Sequence, residues 1–73
     1  MKILTDANVG ETVKVKRNDA KDSLKERLMA LGLTNGADIE VLRKGPQNNL
    51  TVYRIRGAMI ALRKEESKFI EIM

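Results

Sequence analysis

A chain of 73 residues has room for one hydrophobic core, so residues 1–73 are expected to form a single domain. It contains no cysteine and no histidine. That excludes a disulfide staple and removes the ligands that hold zinc, copper or ferrous iron tightly, along with the commonest general base and the thiol nucleophile. Fourteen Lys and Arg against ten Asp and Glu leave a formal charge of +4, which permits an anionic partner without requiring one.

Two further absences point to the setting. Residues 1–20 show no charged-then-apolar leader, which together with the missing cysteines leads us to expect a reducing cytoplasmic compartment. The longest apolar run, residues 58–62, is far short of the ~20 residues that cross a bilayer, so no membrane insertion is expected.

Along the chain, residues 10–16 alternate Val13 and Val15 with Thr12, Lys14 and Lys16, the period of a strand with one buried face and lysines toward water. Asp19 is placed to cap a helix beginning at Ala20, with Asp22 adding favourable charge in its first turn. Leu24, Leu28 and Leu31 fall on one stripe of that helix, and Gly32 ends it. The stripe is read as core rather than as a docking surface. Asn35-Gly36 marks the next turn.

Residues 37–44 and 50–56 flank a turn-rich loop, Gly45-Pro46-Gln47-Asn48-Asn49, and read as an antiparallel hairpin. Setting Lys44 opposite Leu50 brings Ile39 to Ile55 and Val41 to Tyr53 on one face. The other face then carries Asp38 opposite Arg56 and Glu40 opposite Arg54, so apolar meets apolar and opposite charges meet. Gly57-Ala58 turns the chain into a strand over 59–63, in which Ile60 and Leu62 share a face. Residues 64–68 suit one tight helical turn, and 69–72 resume strand alternation through Ile70 and Ile72. About five short strands in so small a chain must curl and close, which predicts a mainly β barrel with one short α-helix.

No phosphate-cradling glycine loop or nucleophile elbow occurs, so no catalytic residue is assigned and the chain is not expected to be an enzyme. Glu65-Glu66 is read as a solvated charged turn, because such neighbours point apart. Arg43, Lys44, Arg54, Arg56 and Arg63 can form a basic stripe of the kind RNA-binding barrels use. The hairpin register supplies carboxylates to two of them, and Tyr53 is the one aromatic there to stack on a base, so nucleic acid is not the expected partner. Leu42, Val52 and Leu50 lie on the charged face of the hairpin. Apolar residues rimmed by charge form an interaction patch, unless curvature buries them, and the register leaves both outcomes open.

The pattern Leu28-x-x-Leu31-Gly32-Leu33-x-x-Gly36-x-x-Ile39-x-Val41, followed by Arg56-Gly57-x-x-Ile60-Ala61-Leu62-Arg63 with Glu66 and Ile70 beyond, resembles the ferrous iron transport protein A (FeoA) family. Asn35 stands where that family often has proline, and Gln47-Asn48-Asn49 replaces its common Gly-Asp-Pro. The resemblance implies an SH3-like barrel, kinship with the SH3-like domain of iron-dependent repressors, and a cytoplasmic accessory role beside the membrane ferrous iron permease that carries a GTP-binding domain. On this reading the chain docks on that permease at the inner face of the membrane through Leu42, Val52, Tyr53, Arg54, Arg56 and Gly57, with Arg56 and Gly57 shaping the corner of the barrel. It needs no cofactor and holds no metal itself, and homodimerisation is left open. The alternatives are a small basic RNA-binding barrel and a metalloregulator-type sensor domain.

Overall fold

The computed structural model describes residues 1–73, the side chain of Asn48 excepted. Six strands, β1 (Lys2–Ile3), β2 (Thr12–Asn18), β3 (Asp38–Lys44), β4 (Leu50–Ile55), β5 (Ala58–Arg63) and β6 (Ile70–Ile72), form one antiparallel sheet in the order β1-β6-β2-β3-β4-β5. The helices are α1 (Asp22–Ala30), between β2 and β3, and the single turn α2 (Lys64–Ser67), between β5 and β6.

The sheet curls because β2 serves two neighbours. Thr12, Val13 and Lys14 pair with β3, whereas Val15, Arg17 and Asn18 pair with β6, and the register slips at Lys16 between them. Such a bulge bends and twists its strand, letting one chain turn a barrel corner without losing its ladder. The inward residues then converge. Leu4, Val15, Leu28, Leu33, Ile39, Leu62 and Ile70 are fully buried, and Val41, Tyr53 and Ile55 are 1% exposed. Leu24, Leu31 and Ile60 pack against them, so the helix stripe is core.

At the end of α1, Gly32 N–H donates to the Met29 carbonyl at 3.0 Å and Leu33 N–H to the Leu28 carbonyl at 3.0 Å. This is a Schellman stop, and its partner residues Leu28 and Leu33 meet in the core. Gly32 has φ +109°, and a Cβ there would lie 2.7 Å from Ile55 Cγ2, so glycine serves both the turn and the close approach of helix to hairpin.

Three local expectations are corrected. The helix begins at Asp22, not Ala20, and Asp19 does not cap it: its carboxylate receives Arg17 Nε at 2.8 Å. Asn18 organises the approach instead, accepting from Ala20 N–H at 2.9 Å and donating to the Lys25 carbonyl at 3.3 Å. The hairpin register holds at Ile39↔Ile55, Glu40↔Arg54 and Val41↔Tyr53, then slips, so that Arg43 faces Val52 and Lys44 faces Thr51 rather than Leu50. Leu42 is the extra residue of that bulge. Finally, Arg56 lies beyond β4 in a two-residue turn with Gly57, so it does not face Asp38, which binds Lys14 Nζ at 2.8 Å.

The first residues carried no periodic signal, yet β1 and the 3-10 turn Leu4–Asp6 lay a fully buried Leu4 against the core. Asp6 holds this turn by accepting the Ile3 amide at 3.0 Å.

Candidate docking face

The outer face of β3, β4 and β5 carries most of the residues singled out from the sequence. Because alternate residues of a strand point to opposite sides, placing Thr51, Tyr53 and Ile55 inside puts Leu50, Val52 and Arg54 outside. Antiparallel pairing sets Leu50 beside Arg63, Val52 beside Ala61 and Arg54 beside Met59. The result is an apolar strip in which Val52 is half-buried, Leu50 is 43% exposed and Met59 is 69% exposed. Leu42 is half-buried at the bulge, and its expected place opposite Val52 is taken by Arg43. Both outcomes left open by the sequence are thus partly realised: curvature half covers Leu42 and Val52, and leaves Leu50 open.

Charge is distributed unevenly around the strip. Arg54 Nη1 donates to Glu40 Oε1 at 3.0 Å, the cross-strand pair expected from the sequence. With both side chains about half exposed, that contact is a surface ion pair of modest strength. Arg43, Arg63 and Lys64 have no carboxylate partner among the described residues. Elsewhere Lys14 and Lys16 face water as expected and also pair with carboxylates, Lys14 with Asp38 and Lys16 with Glu71 at 3.3 Å.

Arg56 and Gly57 form the turn that joins β4 to β5, with φ of 53° and 80°. Two successive positive φ values make the tight turn whose twist matches that of paired strands, and Ala58 is already the first residue of β5, opposite Ile55. Arginine rarely adopts this conformation. Its side chain is held down here, with Nη2 donating to Thr34 Oγ1 at 3.3 Å and its Cδ close over Gly32.

Tyr53 is the member of the sequence-derived set that does not reach the face. At 1% exposure its ring lies in the core, on the side of β4 opposite Val52 and Arg54. Burial pushes its hydroxyl above the ordinary tyrosine pKa, against the opposing pull of the Ser67 and Thr51 hydroxyls beside it. A ring so placed supports the face from beneath and offers nothing for a base to stack on.

Glu66 was read from the sequence as part of a solvated turn and is instead a clasp. Its Oε1 accepts the Arg63 amide at 2.9 Å, capping α2, while Oε2 receives the Arg27 guanidinium of α1. The Arg63 amide is the main cause of a carboxyl pKa below the ordinary value, and Arg27 adds to it. The sequence signal existed: Glu66 stands three residues after Arg63, the spacing of a carboxylate that reaches back to the start of a helical turn.

No group of three or more acidic side chains able to hold a metal ion occurs among the described residues. Among the described residues no helix is long and apolar enough to cross a membrane.

A family model described as the FeoA domain matches residues 2–73. No curated protein matches the chain. Among solved structures, the chain is similar to iron(II) transport protein A of Clostridium thermocellum, with 30% identity and a TM-score of 0.91 over 97% of this chain and 44% of that one. It is similar to the FeoA protein of Chlorobium tepidum, with 28% identity and a TM-score of 0.89 over 97% of this chain and 68% of that one. The FeoA of Stenotrophomonas maltophilia, an SH3 domain protein solved in complex with zinc, shares the fold at 22% identity and a TM-score of 0.88, covering 100% of this chain and 91% of that one. The sheet is thus an SH3-like barrel, as the sequence pattern implied.

Proposed function

Because this chain belongs to the FeoA family, which is associated with ferrous iron transport, we propose that it is an accessory interaction module that docks on the cognate ferrous iron permease, near its GTP-binding portion, and promotes iron uptake. The observation that carries this reading is the outer face of β3, β4 and β5, where Leu50, Val52 and Met59 stay accessible while cations without carboxylate partners stand beside them. An apolar centre with a charged rim is the composition of a protein interface. Leu42, Val52 and Arg54 contact the partner; Arg56 and Gly57 hold the turn that sets the angle between β4 and β5. Tyr53 supports that face from the core and touches no partner.

The ferrous ion is cargo for the permease on this reading, and the chain acts as a protein ligand at the cytoplasmic face of the membrane. Its side chains support that division of labour, since imidazole and thiolate are both missing. An RNA-binding role gains no comparable support: Arg54 is engaged by Glu40, Arg56 by Thr34, and the one aromatic of the hairpin is buried.

Co-purification with the cognate permease, with ferrous uptake measured in cells, is the test. The unmodified chain is expected to be retained by the permease and to raise uptake, and Val52→Glu, which alters only the outer face, is expected to reduce both about tenfold. Absence of association, together with unchanged uptake after gene deletion, would remove the proposal.

A further inference from the structure

The sheet does not close on itself, and its two edges are treated differently. β1 is two residues long, and its Ile3 amide is taken by Asp6. The other edge is β5, six residues long, hydrogen-bonded to β4 alone. The tight turn at Arg56–Gly57 decides which way its backbone faces. Ile55 and Ala58 close that turn, so the amides of residues 58, 60 and 62 face β4, and the series continues with Lys64 N–H donating to the Asn49 carbonyl at 3.0 Å. The N–H and C=O groups of Met59 and Ala61 therefore point along the open edge, with no backbone partner there among the described residues. The next outward amide, that of Arg63, is already occupied by Glu66.

An unpaired edge is a template for another strand, and proteins usually blunt it with lysine, proline, a bulge or a covering element. Residues 58–62, Ala-Met-Ile-Ala-Leu, contain no charge, proline or glycine, and no bulge interrupts their pairing with β4. We infer that β5 accepts an extended segment of the partner as a seventh strand, pairing with Met59 and Ala61, and that this segment alternates acidic with apolar residues. Charge selects the occupant. Arg63 and Lys64 follow the free edge, both without carboxylate partners among the described residues. Carboxylates on the outer side of an added strand meet the cation of Arg63 there, and its apolar residues, on the opposite side of the pleat, extend the inward row of Ile60 and Leu62. A second copy, itself carrying +4, would bring its Arg63 and no carboxylate to this edge, since residues 58–63 contain no Asp or Glu. The inference rests on the docking reading for the partner's identity and adds the form in which the partner arrives.

The test uses a short synthetic peptide of alternating valine and glutamate, with residue-resolved amide hydrogen exchange on the full chain. Adding the peptide is expected to slow exchange at Met59 and Ala61 about tenfold while leaving Ile60 and Leu62 unchanged. A peptide with lysine in place of glutamate is expected to bind at least about tenfold more weakly. Ala61→Pro removes an outward amide that β4 does not use, and is expected to weaken binding by about tenfold or more. Should that variant fail to fold, exchange on the unmodified chain decides alone. Unchanged exchange at Met59 and Ala61, equal binding of both peptides, or concentration-dependent protection of these amides without peptide would overturn the inference, the last by making a second copy the occupant. If the permease's GTP-binding domain binds Ala61→Pro as tightly as the unmodified chain, the strand inference falls and docking survives. If the peptide adds to β5 but no permease association occurs, docking falls and the edge assignment survives.

Discussion

The two halves of the sheet handle polar and apolar groups in opposite ways. Where β6 lies between β1 and β2, Glu71 is 6% exposed, and its carboxylate is clamped by Arg17 Nη2 at 2.7 Å and Lys16 Nζ at 3.3 Å. Where β4 lies between β3 and β5, apolar Leu50 and Met59 remain in water and Arg43 and Arg63 lack carboxylates among the described residues. The first half uses its charge to hold itself together. The second leaves apolar surface and charge unspent, a combination that costs stability and is suited to binding.

The contrast makes graded claims about stability, each readable by urea denaturation. The largest effect lies within β5 itself. Leu62→Ala, on the buried side of the strand, is expected to cost about 2–5 kcal/mol, because it removes a fully buried side chain and leaves a cavity. A loss below about 1 kcal/mol there would mean that β5 is not part of the core.

Next comes the clamp. Glu71→Gln is expected to cost about 1–2 kcal/mol, since Arg17 and Lys16 lose a mostly desolvated carboxylate partner. Glu40→Gln, which breaks only the half-exposed pair with Arg54, is expected to cost under about 0.5 kcal/mol. Equal costs would erase the distinction between the two halves.

Glu66 sharpens the comparison through pH. Its folded pKa lies below the ordinary value of 4.5, so its clasp between α1 and α2 contributes stability at neutral pH. That contribution is lost as pH falls below 4.5 and through the folded value. Glu66→Gln should therefore be less stable than the unmodified chain at pH 7, with the gap narrowing in acid as the native carboxyl protonates. A gap independent of pH would assign the effect to packing alone.

The smallest effect is expected on the outer side of β5. Met59→Ala should change stability by under about 0.5 kcal/mol, because a side chain 69% exposed gives up little contact. Together with Leu62→Ala, it separates the two faces of one strand.

Much of this fold could be read in the residues, and the exceptions have physical causes. The inward set Ile39, Val41, Tyr53 and Ile55 follows from alternation and cross-strand matching, and all four lie in the core. Register beyond Tyr53 was missed because a bulge adds Leu42 without breaking the alternation on either side. Asp19 was placed as a cap because its type and position suit one, but the neighbouring Arg17 claimed its carboxylate. Glu66 looked solvated because its partner Arg27 is distant in sequence. Tyr53 was assigned to a partner as well as to the core, and one ring cannot face both ways across a pleat.

Sequence by itself determined the strand faces, the stop at Gly32, the hairpin and the family, because periodicity, turn chemistry and local spacing are properties of neighbouring residues. Tertiary structure alone decided which charges are spent on one another, where β2 changes partners, and that β5 is left with an open edge. Those outcomes depend on which distant segments arrive beside each strand.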